Sequence, residues 1–201
     1  EQGFAVVKGV YNPNAGDVSD ANAWTWTPVI GNKADGAKYT FGVDPERTAA
    51  SACTLQVYGD YLYIGDYNDV NYSLTNILTE RSFRVLAKNL SQSINLYRMD
   101  HNENIEMVVG DPTEMFPQSI TGIGSGYESH MNQYTWMTNV VGDTMYLSTM
   151  DETSLTHCIA QLVNGELLNM SQEEWESQLN YILVLVKLMF ASNGTNAVST
   201  Y

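Results

Sequence analysis

Short runs of this chain alternate apolar and polar residues, the spacing of β-strands with one oily face. In the clearest run Leu55, Val57, Leu62 and Ile64 alternate with Gln56, Tyr58, Tyr61 and Tyr63. A two-residue turn at Gly59-Asp60 fixes the register, because glycine tolerates the positive φ that tight hairpins demand. Tyr58 then faces Tyr61, Val57 faces Leu62, and Leu55 faces Ile64. The same skeleton returns 83 positions later, in "NVVGDTMYLSTMDE" (Asn139–Glu152). Gly142-Asp143 makes the second turn. It pairs Val141 with Thr144, Val140 with Met145, Asn139 with Tyr146 and Thr138 with Leu147.

The repetition extends upstream of each hairpin. "WTPVIGN" (Trp26–Asn32) precedes the first copy and "IEMVVGDP" (Ile105–Pro112) the second, while "GFAVVKG" (Gly3–Gly9) parallels "INLYRMD" (Ile94–Asp100). The short link Asp100–Asn104 joins two alternating runs as a further hairpin. Repeat units of four short strands are therefore expected near residues 3–67 and 94–150. Between them Leu74, Ile77, Leu78, Arg81 and Val85 recur at helical spacing, predicting one short helix within residues 73–88. A second helix is predicted over 171–190. Ser171 and Glu174 form a capping box, acidic residues fill the first turn, and Trp175, Leu179, Ile182, Leu183, Val186 and Phe190 line one face. Val184, Leu185 and Leu188 leave the other side apolar as well, which predicts burial on both. A buried strand over Tyr181–Met189 competes with this helix. Residues 191–201 read as a flexible or edge segment.

The hairpins "VYGDYLYIGD" and "VVGDTMYLST" resemble the inner strand pairs of bacterial and archaeal β-propeller repeats of the Gly-x-Leu-Tyr-(Val/Ile)-Gly-Thr kind. "NLYRMD" with "IEMVVGDP" is similar to the outer pair of such a blade. Two positions depart from that pattern: Asp66 stands in place of Thr, and Ser148 in place of Gly. The resemblance implies a mainly β fold of antiparallel, four-stranded, propeller-like repeats in a single domain, with one or two helices. A ring needs about four to eight blades, so the ring is incomplete. The chain is then part of a longer protein, or completes its ring by oligomerisation, or forms a smaller open sandwich. The fragment is the favoured reading.

Charge narrows the partners. The chain of 201 residues carries 9 Lys and Arg against 23 Asp and Glu, a net charge of −14. Lys187 is the sole Lys or Arg after Arg98, amid 13 acidic residues. So negative a chain repels phosphate backbones and anionic lipid surfaces, which argues against nucleic acid as partner. The longest apolar run, Tyr181–Phe190, contains a lysine and is too short to span a bilayer. No signal peptide opens the chain. Low lysine, two distant cysteines (Cys53 and Cys158) and abundant Tyr, Asn, Ser and Thr point to a bacterial protein, secreted or at the cell surface. The acceptor pattern for N-glycosylation occurs at Asn71, Asn89, Asn169 and Asn193.

Candidate chemistry is sparse. His101, His130 and His157 lack metal-ligand spacing. There is no nucleophile elbow, and "GIGSG" (Gly122–Gly126) follows no strand and opens no helix, so it is a loop rather than a phosphate cradle. Asp100, Asn102, Asn104 and Glu106 place side-chain oxygens at every second position. That could wrap calcium, although the EF-hand pattern fails and turns favour Asp and Asn for backbone reasons alone. Asp111, Glu114 and Glu128 lie on or beside the long loop Pro112–Gln133, where catalytic carboxylates of a glycosidase would be sought. Trp24, Trp26, Tyr127, Tyr134 and Trp136 lie on or near the two long loops, with rings suited to stacking on sugars.

The expected function is non-enzymatic: a secreted or surface-exposed module that binds a glycan or a protein through loops on a β-repeat scaffold. The alternative is a carbohydrate-active enzyme, a glycoside hydrolase or lyase, whose acidic residues converge from different repeats.

Overall fold

Both Gly-Asp turns form. A computed structural model of the chain describes residues 3–47, 49–68, 70–155 and 170–194. In it Gly59 and Gly142 take left-handed φ values of 58° and 62°, with open space where a side chain would stand. They are kept as glycine by the backbone conformation rather than by crowding. The protein is mainly β, with two antiparallel sheets and a C-terminal helix. The strands are β1 (Val6–Tyr11), β2 (Trp24–Ile30), β3 (Ser51–Tyr58), β4 (Tyr61–Tyr67), β5 (Leu96–Met99), β6 (Ile105–Val109), β7 (Asn132–Val141) and β8 (Thr144–Asp151). The helices are α1 (Val70–Glu80), α2 (Arg84–Gln92) and α3 (Gln172–Gly194).

The chain divides into two compact units, Glu1–Ala52 and Cys53–Tyr201. The first holds the ribbon β1–β2, in which Val10 pairs with Thr25 and Gly9 with Trp26. Its buried residues include Phe4, Val29, Ile30, Val43 and Ala49. Irregular backbone is tied in by the amide of Phe4, which donates to the Ala49 carbonyl, and that of Gly42, which donates to the Phe4 carbonyl.

The second unit is built on a six-stranded sheet. β3 pairs with β4, β4 with β5 and β5 with β6, so four consecutive strands form a meander from Ser51 to Val109. This meander is displaced by one hairpin from the units expected at 3–67 and 94–150. The sequence shows that hairpins recur but not which neighbours share a sheet. β7 joins the same sheet beside β4, at Tyr67 and Tyr134, and β8 lies beyond it. The two glycine-cornered hairpins thus share one sheet, and the Tyr58 hydroxyl donates to the Asp143 carbonyl, tying turn to turn. The β7–β8 register agrees with the alternation pattern: Val140 faces Met145, Thr138 faces Leu147 and Val141 faces Thr144. No closed ring forms among the described strands.

The oily sheet face is covered only in part. Ile64, Tyr97 and Met107 are buried, whereas Leu55 and Val57 on β3 are exposed, Val57 to 66%. The expected single helix at 73–88 is two. Arg81 adopts φ 50°, which ends the first helix, and the Phe83 amide then donates to Gln178 Oε1 at 3.0 Å. Phe83 packs with Ile77, Leu86, Leu90 and Met131, against Tyr181, Ile182, Leu185 and Leu188 of α3.

α3 begins as the capping box predicts. Glu174 N donates to Ser171 Oγ at 3.3 Å and Ser171 N to Glu174 Oε2 at 2.7 Å. Its packed face differs from the expected one. Ile182 is inside, but Trp175, Leu179, Leu183 and Val186 are exposed. Burial on both sides is not found. Two apolar faces at one period look alike in sequence, and the partner helices choose between them. Among the described residues no helix is long and apolar enough to cross a membrane.

Candidate functional site

The candidate aromatic residues form separate groups. On the first unit Trp24 and Trp26 sit two apart on β2 and therefore share a face. Their rings stack with centroids 5.4 Å apart, and Tyr11, opposite Trp24 on β1, adds a third ring at 5.3 Å. Gly9 is what lets Trp26 lie flat. A Cβ at Gly9 would come within 2.5 Å of the Trp26 ring. Trp26 remains 60% exposed. The loop 12–23 braces this shelf: Trp24 Nε1 donates to the Val18 carbonyl at 2.9 Å and the Tyr11 hydroxyl to the Gly16 carbonyl at 3.0 Å. Asp17 accepts from both Ser19 N and Ser19 Oγ, which lowers its pKa, and Asp20 caps a short 3-10 turn through Asn22 N. Tyr11 and Gly9 are absent from the sequence-derived set, because their role appears only once β1 is paired with β2.

The second unit carries a smaller group. Tyr67 and Tyr134 meet edge to face at 4.7 Å, and Tyr134 and Trp136 lie 5.2 Å apart. Thr135 pairs with Thr149 and Met137 with Ser148, so Trp136 is the extra residue of a bulge. Bulges re-aim a side chain. Here Trp136 turns outward over an open cleft of about 440 Å³, lined also by Ser148, Thr149, Met150 and Asp151. Cys53 contacts the Tyr134 hydroxyl and raises its pKa. On the tyrosine face of the meander, the Arg98 guanidinium lies 4.2 Å from the Tyr61 ring centroid and donates twice to Glu106 Oε2, each at 2.8 Å.

Tyr127 does not join either aromatic group. Gly126, Tyr127 and Glu128 all have positive φ, at 65°, 56° and 68°, a conformation that only glycine adopts without cost. Burial, with the Asp66 carboxylate close by, drives the Tyr127 hydroxyl pKa above its ordinary value. Behind it runs a buried polar network. Asn95 N donates to Asp66 Oδ1 at 2.6 Å, Asn95 Nδ2 to the Tyr97 hydroxyl at 2.9 Å, and Ser125 Oγ to Asn95 Oδ1 at 2.7 Å. Asn68 Nδ2 reaches both the Ser93 carbonyl and Gln133 Oε1.

Two candidate carboxylates attach to the same loop. Asp111 Oδ1 accepts from Ser125 N, and Glu128 Oε1 from Gly124 N. Both oxygens stand within 3.3 Å of the point where Gly124 would carry a Cβ. Glu114 is exposed.

The oxygen-rich turn at Asp100 is held by its own hydrogen bonds. Asp100 Oδ1 accepts from Asn102 N and Asn104 N, each at 2.8 Å, and Oδ2 from Asn104 Nδ2 at 2.9 Å. These contacts lower the Asp100 pKa. Glu106 is engaged by Arg98. Among the described residues no three His, Cys, Asp or Glu side chains form a metal-binding group. His101 is exposed, and His130 Nδ1 lies 3.1 Å from the Leu90 carbonyl. His157 and Cys158 lie outside the described residues.

No protein-family model, no curated protein and no solved structure matches this chain at a significant level.

Proposed function

We propose that this chain is a non-enzymatic binding module, secreted or displayed at the cell surface, that holds a glycan against the Tyr11–Trp24–Trp26 shelf. One observation carries the reading: Trp26 lies flat over Gly9, stacked on Trp24, with most of its surface open to solvent. An indole exposed in this way offers an apolar plane to the C–H face of a sugar, while the polar loop 12–23 beside it supplies hydrogen-bonding groups. The hydrogen bonds within that loop reduce the ordering that binding would require. On the same reading the four-stranded meander β3–β6 is a propeller-like repeat of an incomplete ring, and hairpin β7–β8 extends its sheet.

The glycosidase alternative draws on the approach of Asp111 and Glu128 to one point beside Gly124. Both already accept hydrogen bonds from backbone amides there, which supports a bracing role. A glycan array probed with the chain should give binding that Trp26→Ala weakens at least about tenfold and Trp26→Phe weakens less. Binding only to proteins, or glycan binding indifferent to Trp26→Ala, would remove the shelf as the site. Release of reducing ends that is lost on Glu128→Gln would replace the binding module with the enzyme.

A further inference from the structure

α3 packs one face on α1 and α2 and leaves a second apolar stripe uncovered. Trp175, Leu179, Leu183 and Val186 fall within an arc of about 80° at 100° per residue; the packed Tyr181, Leu185 and Leu188 lie across the helix, and packed Ile182 borders the stripe beside Trp175. Leu179 and Leu183 are 54% and 50% exposed. The steps of four, four and three residues are those of a helix–helix seam. Charge identifies what fits it. Glu176 and Lys187 flank the stripe along the same edge, one near each end. Lys187 has no acidic residue within a turn of it on its own helix. Glu174 is already occupied by the Ser171 cap and by Arg81 at 3.3 Å.

We infer that the stripe is a self-association surface, on which α3 of a second copy of this chain lies antiparallel. A twofold axis beside residues 181 and 182 keeps each edge of the stripe facing its own equivalent. It brings Glu176 of one copy level with Lys187 of the other, twice over, and sets Leu179 near Leu183 and Val184. A parallel arrangement would instead set Glu176 and Lys187 of the two copies on opposite edges of the seam, where neither meets an opposite charge. A basic partner helix would satisfy Glu176 but repel Lys187. The seam is short, below the roughly 800 Å² per partner of a standard interface, and each copy carries a net charge of −14. The association is therefore concentration-dependent and strengthens as salt screens the overall repulsion.

Sedimentation velocity of the chain from roughly 10 to 500 µM in about 0.15 M salt tests this. A reversible monomer–dimer equilibrium is expected. Leu179→Ser with Leu183→Ser should abolish it, with helical circular dichroism and melting temperature retained. Glu176→Lys or Lys187→Glu alone should weaken the dimer about tenfold, and the double exchange should restore it to within about threefold. A monomer throughout the range would overturn the inference. So would a dimer that survives the double serine variant, or single charge variants that the double exchange fails to rescue.

Discussion

Asp111 and Glu128 grip consecutive backbone amides of one loop, Asp111 Oδ1 at 3.0 Å from Ser125 N and Glu128 Oε1 at 2.7 Å from Gly124 N. Ser125 completes the brace by accepting from Asp111 N at 2.9 Å. The two carboxylates therefore stabilise the segment that carries the left-handed run Gly126–Glu128. Asp111→Ala and Glu128→Ala are each expected to lower stability by about 1 kcal/mol. Together they should cost less than the two losses added, because both hold the same dipeptide. Urea denaturation of the two single variants and the double variant measures the coupling. Strict additivity would show that the braces act independently.

The twin turns make a matched pair of experiments. Gly59→Ala and Gly142→Ala meet no atom within 4 Å, so each pays only for a left-handed alanine, about 1 kcal/mol. Asparagine, which tolerates that conformation better, should recover part of the loss at both sites. A loss of several kcal/mol at either turn would mean that the glycine is kept for space. Equilibrium unfolding of the four variants decides it.

Gly65 is the opposite case. Its φ is unremarkable, but a Cβ there would stand 2.5 Å from Thr135 Cγ2 and 2.9 Å from Thr54 Oγ1. Gly65→Ala should destabilise by about 1–3 kcal/mol through overpacking between β4 and its neighbours. Thr135→Ser removes the closest methyl and should restore part of that. The double variant compared with each single variant in a melting series shows whether the clash is local.

Base should unfold the protein through Tyr127. Burial raises its folded-state pKa above the ordinary value of 10.0, so the folded form holds the proton more tightly than the unfolded chain. The associated stability is complete below pH 10 and is lost as pH climbs toward the folded pKa, because the unfolded chain ionises first. Tyr127→Phe has no proton to release and should flatten that part of the profile. Thermal melts from pH 8 to about 11.5 compare the two, and superimposable profiles would exclude Tyr127 as the source.

Local rules carried the hairpins and the start of α3. A glycine forced to positive φ and a Ser/Glu capping box are decided by residues within a few positions of one another, so Gly59, Gly142, Ser171 and Glu174 could be read directly. Sheet neighbours were not legible in the same way. β4 finds β5 across the two inserted helices, and nothing in either strand announces that distance. The same holds for α3, whose two apolar faces share a period, so that the cluster of Ile77, Phe83, Leu86, Leu90 and Met131 decides which one is covered. The aromatic shelf was half legible. Trp24 and Trp26 stand out in sequence, but the glycine that makes room for Trp26 lies on the other strand.

Asn68 Nδ2 donates to the Ser93 carbonyl at 2.8 Å, so the excursion through α1 and α2 leaves the sheet and returns to it at nearly the same spot. For such a closed detour the entropy of bringing its ends together grows only with the logarithm of its length. Inserting residues between the two helices should consequently disturb the strands little. The cost would fall on α3 instead, because the Phe83 amide and Arg81 at that junction are held by Gln178 and Glu174.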